Sequence, residues 1–237
     1  MDHVKIATPI SDLFLAKDNI ESIFNLSDCF ECRDHSIFSK LQNQELFHCE
    51  LQPIHELTSS EINYLKKIKL SKPDLKLISF HLGSCYKTPI LKQGKFYPRG
   101  NKISRSELIK NSKKNIALIK NIFGSNINIA VENNNHYKTE AYDHITCPDF
   151  ISEVVNSNDI NFLYDIAHSK ISSHNLEMTI DNYENKLPMN KLIQIHIAKP
   201  GYNELGEIYD KHDIPTVKEL DQVILLINKY SKIKYLT

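Results

Sequence analysis

Short apolar runs recur along the chain, and longer stretches with helical spacing separate them. The β-branched and aromatic content of these runs, together with their length, predicts strands rather than helices. Because a strand that is apolar along its whole length is buried on both faces, the runs indicate a parallel sheet covered by helices. The eight predicted strands are Val4–Thr8, Cys29–Cys32, Leu46–Leu51, Lys76–Leu82, Ile127–Asn133, Ile160–Ala167, Leu192–Ala198 and Ile233–Thr237.

The stretches between the strands carry helix start signals. Thr58, Ser104 and Thr216 each stand three residues before a glutamate, which is the capping-box pattern of a helix N-terminus. Behind Ser104, apolar residues at helical spacing predict a helix packed on the core. That stripe consists of Leu108, Ile109, Ile116, Ile119 and Phe123.

Eight strands that alternate with helices predict an α/β fold, the (β/α)8 TIM barrel. The alternative is an open doubly wound sheet, but no glycine-rich turn opens an early helix, and the chain has only six glycines. The last predicted strand ends with the sequence. We therefore expect a barrel that lacks its last helix or is truncated there.

Composition is that of an ordinary globular protein. The 237 residues are 41% hydrophobic and 24% charged, and no linker divides them, so residues 1–237 are predicted to form a single domain. Lys+Arg and Asp+Glu both number 29, which removes any global electrostatic reason to expect a nucleic-acid or membrane partner. With no apolar run of membrane-spanning length and no signal peptide, we expect a cytoplasmic protein, and no obligate protein partner is evident. Of the five cysteines, the CxxC pair Cys29 and Cys32 is interpreted as ordinary buried thiols.

The unusual count is eleven histidines, and their positions matter more than their number. Several predicted strands close on polar residues, at the end where TIM barrels carry their chemistry. An ionisable group there is costly to bury unless it is paired or bound to metal, and imidazole with carboxylate suits zinc, manganese or iron. The candidate ligands are His48, His81, Glu132, Asp165, His168 and His196, with Asp210 and His212 on the loop after the seventh strand.

In order and approximate spacing, these segments resemble the metal-site pattern of the endonuclease IV family (AP endonuclease family 2), and more broadly the xylose isomerase-like TIM barrels. The resemblance implies that all eight residues are ligands, holding two or three divalent ions per chain. Zinc is the expected metal, with manganese or iron as alternatives. A ninth ligand, a glutamate ending the last strand, would fall just past Thr237. The segments that carry the resemblance are Phe80-His81-Leu-Gly-Ser84, Glu132-Asn133, Asp165-x-x-His168, His196 and Asp210-Lys-His212.

The leading hypothesis is a metal-dependent hydrolase that cleaves phosphodiesters as endonuclease IV does, with a sugar-phosphate or nucleic-acid substrate. Clustered divalent ions activate water and neutralise charge on a phosphoryl group. Glu132 is the predicted catalytic residue and a candidate bridge between ions. The alternative is a sugar or sugar-phosphate isomerase or epimerase, in which Glu132 and the absent terminal glutamate would serve as acid and base.

Two further alternatives remain open. The chain also resembles multinuclear iron oxidative enzymes that modify cysteine-containing peptides, except that His168 stands where those enzymes have asparagine. His168 therefore favours the nuclease or isomerase branch. A degenerate barrel that only binds a ligand is the last alternative.

One basic segment bears on substrate charge. Between Cys85 and Arg105 the chain carries no acidic residue, and aromatic residues stand between the basic ones. The segment is either a solvated loop or a lid that binds an anionic substrate. The predicted substrate-binding residues are Lys87, Lys92, Lys95 and Arg99.

Overall fold

The fold is an eight-stranded parallel barrel. The computed structural model describes residues 3–11 and 20–237. Within them the barrel strands are β1 Lys5–Pro9, β2 Cys29–Arg33, β3 Leu46–Cys49, β4 Leu77–His81, β7 Asn128–Glu132, β8 Asn161–Asp165, β9 Leu192–His196 and β12 Tyr235–Leu236. They follow this order around the barrel, and β12 pairs with both β1 and β9 to close the ring.

Helices cover the outer face of the barrel, as the sequence predicted. The helices are α1 Ile20–Leu26, α2 Ser59–Ser71, α3 Arg105–Phe123, α4 Pro148–Asn158, α5 Ile166–Asn175, α6 Ile180–Glu184 and α7 Val217–Lys229. Thr58 and Thr216 form the predicted capping boxes, and the Ser104 side chain accepts a hydrogen bond from the Glu107 amide. The apolar stripe on α3 is buried throughout. The closed parallel barrel with these helices around it confirms the predicted TIM-barrel fold class.

Two small hairpins lie outside the barrel. The basic segment after β4 forms an antiparallel pair, β5 Ile90–Lys92 with β6 Lys95–Tyr97. After β9, β10 Lys199–Tyr202 pairs with β11 Ile208–Asp213. Asp210 and His212 therefore lie on a strand, and the loop predicted for them is wrong.

The barrel interior is built in layers. The lower layer contains one buried residue from each barrel strand, and most of these are small or aliphatic. Because side chains alternate along a strand, the residue two positions later faces the interior again, nearer the carboxyl ends of the strands. In β2, β3, β7 and β8 that next residue is Glu31, His48, Glu132 and Asp165 respectively. The strand period thus places an ionisable layer directly above an apolar one.

The same alternation explains the CxxC pair. Cys29 belongs to the interior layer, whereas Cys32 packs in the core outside the barrel. All five cysteines are free, so the interpretation as ordinary thiols is consistent with the structure. Among the described residues, no helix combines the length and the apolar character that crossing a membrane requires.

Candidate metal centre

All eight predicted ligands line one cavity of about 260 Å³ at the carboxyl ends of the barrel strands. His48 and His81 come from β3 and β4, Glu132 from β7, and His196 from β9. Asp165 ends β8 and also caps α5, because its Oδ1 accepts a hydrogen bond from the His168 amide, 2.8 Å away. The predicted strand Ile160–Ala167 was too long. The chain turns into α5 at Ile166, so His168 reaches the cavity from the first turn of a helix.

Two histidines and one glutamate make the first group that could hold a metal ion. His48 Nε2 lies 3.3 Å from Glu132 Oε2, and His81 Nε2 lies 3.0 Å from the same oxygen. The two imidazole nitrogens are only 2.7 Å apart. We call His48, His81 and Glu132 the first group.

Glu132 takes part in a second group together with Asp165 and His196. Its other oxygen, Oε1, lies 3.0 Å from His196 Nδ1, and Asp165 Oδ2 lies 3.9 Å from the same nitrogen. The two oxygens of Glu132 therefore face different groups. This arrangement allows one carboxylate to serve two ions.

The remaining predicted ligands lie beside the second group. His168 Nε2 is 3.2 Å from Asp210 Oδ2 and 3.8 Å from Asp165 Oδ2. His212 Nδ1 is 3.1 Å from Asp210 Oδ1, but its side chain is largely exposed. None of these three, His168, Asp210 and His212, belongs to either group that could hold a metal ion.

Four of the predicted histidine ligands each have a partner on the ring nitrogen that points away from the cluster. His48 Nδ1 meets Ser79 Oγ at 2.8 Å, and His81 Nδ1 meets Glu50 Oε2 at 3.2 Å. His168 Nδ1 meets a backbone carbonyl, that of Asn133, at 2.8 Å. Such partners fix the orientation and tautomer of a ligating imidazole.

Sequence reasoning missed two charged residues at this end of β2. Glu31 is fully buried, and its Oε2 lies 2.9 Å from His196 Nε2. Arg33 lines the cavity and donates from Nη2 to Glu31 Oε1 at 3.0 Å. The strand-end pattern that identified the other candidates applies to Glu31 as well. The residue was missed because the segment was interpreted by the CxxC spacing of Cys29 and Cys32.

Burial and neighbouring charges act against each other on the histidines. Burial lowers the pKa of His81, but hydrogen bonds with Glu132 and Glu50 outweigh it and raise that pKa to about 9. Burial opposes protonation of His168 and His196 too, yet the surrounding carboxylates raise both pKa values to about 10. For His48, burial and the adjacent His81 lower the pKa to about 4. In the absence of a metal ion, the carboxylates of the cluster therefore favour the protonated forms of His81, His168 and His196.

The donor set fits metal ions. Glu132 Oε2 and Asp210 Oδ1 are buried oxygens, and each faces imidazole nitrogens at 3.0–3.3 Å. His48 Nε2 and His81 Nε2 lie 2.7 Å apart, and the Nδ1 atom of each ring already has a partner. The two Nε2 atoms therefore share at most one proton. Nitrogen and oxygen donors of this kind are the ligands that zinc, manganese and iron take in proteins. These residues could therefore hold a multinuclear metal centre of unassigned metal.

The predicted substrate-binding residues lie away from this cavity. Lys87, Lys92 and Arg99 are exposed on or beside the β5–β6 hairpin, and Arg99 Nε donates to the Thr88 carbonyl at 2.7 Å. Lys95 lines a neighbouring cavity of about 450 Å³ and lies 3.4 Å from Glu207. From this hairpin only Phe96 lines the ligand cavity. A role in binding substrate stays a prediction for the four cations.

Comparison with known proteins identifies a family and a fold. A family model described as RiPP precursor modification enzyme MbnB/TglH/ChrH matches residues 55–233. The chain is similar in structure to D-psicose 3-epimerase from Clostridium cellulolyticum H10, with 12% identity and a TM-score of 0.55 over 98% of this chain and 84% of the other. D-allulose 3-epimerase from Methylomonas sp. gives 13% identity and a TM-score of 0.54 over 99% and 83%.

These likenesses confirm the TIM-barrel fold, but they do not confirm the specific closeness to endonuclease IV. The family that matches is one of peptide modification enzymes, whereas the histidine at position 168 was expected to favour the nuclease or isomerase branch. The presence of histidine at this position therefore does not exclude a peptide modification enzyme. At identities of 12% and 13%, the two epimerases establish the fold alone.

Proposed function

This chain belongs to the RiPP precursor modification enzyme family MbnB/TglH/ChrH, and on that premise we propose that it modifies a ribosomally synthesised precursor peptide at a multinuclear metal centre. The observation that carries the proposal is Glu132, which is buried and directs one oxygen to each of two ligand groups. A carboxylate in this position can hold two ions side by side. The substrate we propose is a cysteine-containing peptide.

The donor sets of the two groups differ, which supports iron as the metal. The first group has two histidines and one carboxylate, the set typical of non-haem Fe(II) oxygenases. The second group has two carboxylates and one histidine, a harder set that suits a more highly charged ion. When bound, iron would supply one-electron and O₂ chemistry to the peptide.

The chain's own residues bind and orient the peptide beside this centre. Arg33 is the one arginine or lysine that lines the described cavity, and a single hydrogen bond to Glu31 leaves most of its N–H donors for other partners. A planar guanidinium matches a carboxylate in two parallel hydrogen bonds, so Arg33 would anchor an anionic group of the peptide. Phe96 also lines the cavity, so an apolar ring forms part of its wall.

Glu132 is better suited to holding ions than to transferring protons. Burial raises its pKa, but His48, His168 and His196 outweigh burial and lower the pKa well below its usual range. A carboxylate that stays ionised and faces histidines on both sides does not release and recover a proton near neutral pH. We therefore assign Glu132 as the shared ligand.

The test compares three substrates with one protein preparation. Purified protein loaded with Fe(II) is incubated in air with a library of cysteine-containing peptides, with D-psicose, and with a DNA duplex that contains an abasic site. We expect mass changes in a subset of peptides, and none with Glu132→Gln. Epimerised sugar or cleaved DNA without any modified peptide would contradict the proposal.

A sugar epimerase is the second candidate, and the observation that favours it is the second group. Two carboxylates and a histidine can hold one ion, which would polarise a sugar's carbonyl or hydroxyl groups. The same experiment decides between the two candidates. The endonuclease activity finds no support in the family match, and a sugar-phosphate or nucleic-acid substrate stays a prediction.

A further inference from the structure

Glu31 is a fully buried carboxylate at the carboxyl end of β2. Its two oxygens have separate partners: Oε1 accepts from Arg33 Nη2 at 3.0 Å, and Oε2 lies 2.9 Å from His196 Nε2. Gln194 Nε2 also donates to Oε2, at 2.6 Å. A buried carboxylate is costly unless it is paired, and these contacts satisfy it. Glu31 is therefore held as a fixed negative charge against one edge of the His196 ring.

The two nitrogens of His196 face opposite sides. Nδ1 lies 3.0 Å from Glu132 Oε1 and points to the second group, whereas Nε2 points to Glu31. A neutral imidazole carries its proton on one nitrogen and a lone pair on the other. Because a carboxylate only accepts hydrogen bonds, Glu31 favours the proton on Nε2. The lone pair is then on Nδ1, beside Glu132 and Asp165.

Gln194 is the neighbour that would oppose this tautomer if its amide donated to His196, because Gln194 Nε2 lies 3.1 Å from His196 Nε2. The amide nitrogen has two hydrogens. Its distances to Glu31 Oε2 and to Thr237 Oγ1, 2.6 Å and 2.8 Å, account for both. No amide hydrogen is left to require a lone pair on His196 Nε2.

We propose that Glu31 is a positioning residue that holds His196 in the Nε2–H form, so that Nδ1 is the nitrogen available to metal in the second group. The inference rests on the metal centre of the proposed function. It also distinguishes His196 from three other histidines that line the cavity. In His48, His81 and His168, Nδ1 carries the outer partner and Nε2 faces the cluster.

A carboxylate suits this position better than an amide. A carboxylate partner fixes the ring and increases the basicity of the ligating nitrogen, and loss of such a partner lowers metal affinity about 10–100-fold. Glutamine at position 31 would keep the shape, but its NH₂ group could donate to His196 Nε2. The proton would then move to Nδ1 and occupy the lone pair that metal needs.

Wild-type protein tests the tautomer directly. Protein with ¹⁵N-labelled histidine is loaded with Zn(II), and long-range ¹H–¹⁵N spectra identify the protonated nitrogen of each ring, with His196 assigned by its loss in His196→Gln. We expect Nε2–H for His196 and Nδ1–H for His48, His81 and His168. A zinc-bound His196 that carries its proton on Nδ1 overturns the inference without any variant at position 31.

Zinc titration against a chelator provides the second test. Glu31→Gln should weaken the zinc bound at the second group about 10–100-fold and leave the first group unchanged. Glu45→Gln is the matched control, because Glu45 accepts hydrogen bonds from Lys5 and Tyr235 at the opposite end of the barrel. If Glu31→Gln only lowers thermal stability and keeps wild-type zinc affinity, Glu31 is merely structural. If wild-type protein binds no metal at all, the proposed function fails instead.

Discussion

Glu132→Gln should change metal binding at both ligand groups, because Glu132 belongs to each of them. Oε2 faces the first group at 3.0 Å from His81 Nε2, and Oε1 faces the second at 3.0 Å from His196 Nδ1. Glutamine preserves the volume of the side chain but removes its charge. Both groups should therefore lose affinity for metal together.

The magnitude follows from the burial of Glu132. Its side chain is 1% exposed, as is that of His48. Removal of one partner from a buried charge pair costs about 3–5 kcal/mol. Since about 1.4 kcal/mol is a factor of ten in an equilibrium constant, each ion should bind roughly 100-fold to 4,000-fold more weakly.

The assay is a zinc titration against a competing chelator, with four variants compared. Glu132→Gln should weaken both zinc-binding steps, whereas His48→Ala should weaken one step and Asp165→Asn the other. Glu45→Gln, at the far end of the barrel, should titrate like the wild type. If Glu132→Gln lost only one of two zinc-binding steps, the shared-ligand interpretation would be wrong.

Three other predictions test separate parts of the account. The pKa of His81 is raised to about 9 and those of His168 and His196 to about 10, so these rings should be protonated at neutral pH in the metal-free protein. Metal binding should therefore release protons and strengthen as pH rises toward about 10. Calorimetry that shows no dependence on the ionisation enthalpy of the buffer would contradict this. Arg33→Gln should raise KM for an anionic peptide about tenfold or more at unchanged metal content, since a hydrogen bond to a charged group contributes about 1.5–3 kcal/mol. Arg33→Lys should restore part of the loss, and an equal KM for wild type and Arg33→Gln in steady-state kinetics would exclude the anchor. Thr58→Ala should destabilise the fold by about 1 kcal/mol in urea unfolding, because it removes the capping box of α2, and an unchanged midpoint would refute that role.

The fold could be predicted from the sequence because its signals are local. Each barrel strand is a short apolar run, and residues such as Thr58 and Thr216 mark helix starts by their own hydrogen bonds. The end of β8 was less predictable. Ile166 and Ala167 continue the apolar run, and only the Asp165 cap, a contact with the His168 amide, shows that a helix has begun.

The site was predictable in part, since strand ends concentrate the ionisable residues. All eight predicted ligands line one cavity, although their binding of metal stays a prediction. Glu31 was missed because β2 contains two cysteines that suggested another interpretation. Its role depends on His196, which is 165 positions away in sequence and adjacent only once the barrel closes. Contacts of that kind have no local signal.

The branch of the superfamily was the hardest point to predict. His168 reaches the cavity from α5, where its Nδ1 contacts a backbone carbonyl and its Nε2 contacts Asp210. Neither contact distinguishes a hydrolase, an isomerase or a peptide-modifying enzyme. One residue of this type therefore carries little information about the substrate, which depends on loops and side chains such as Arg33 around the centre.

The most direct test of the central claim is an anomalous scattering map of crystals grown from metal-loaded protein. We predict at least two separate peaks, one among His48, His81 and Glu132 and the other among Glu132, Asp165 and His196, with Glu132 in contact with both. A single peak that Glu132 does not contact, or metal bound only outside this cavity, would contradict the claim.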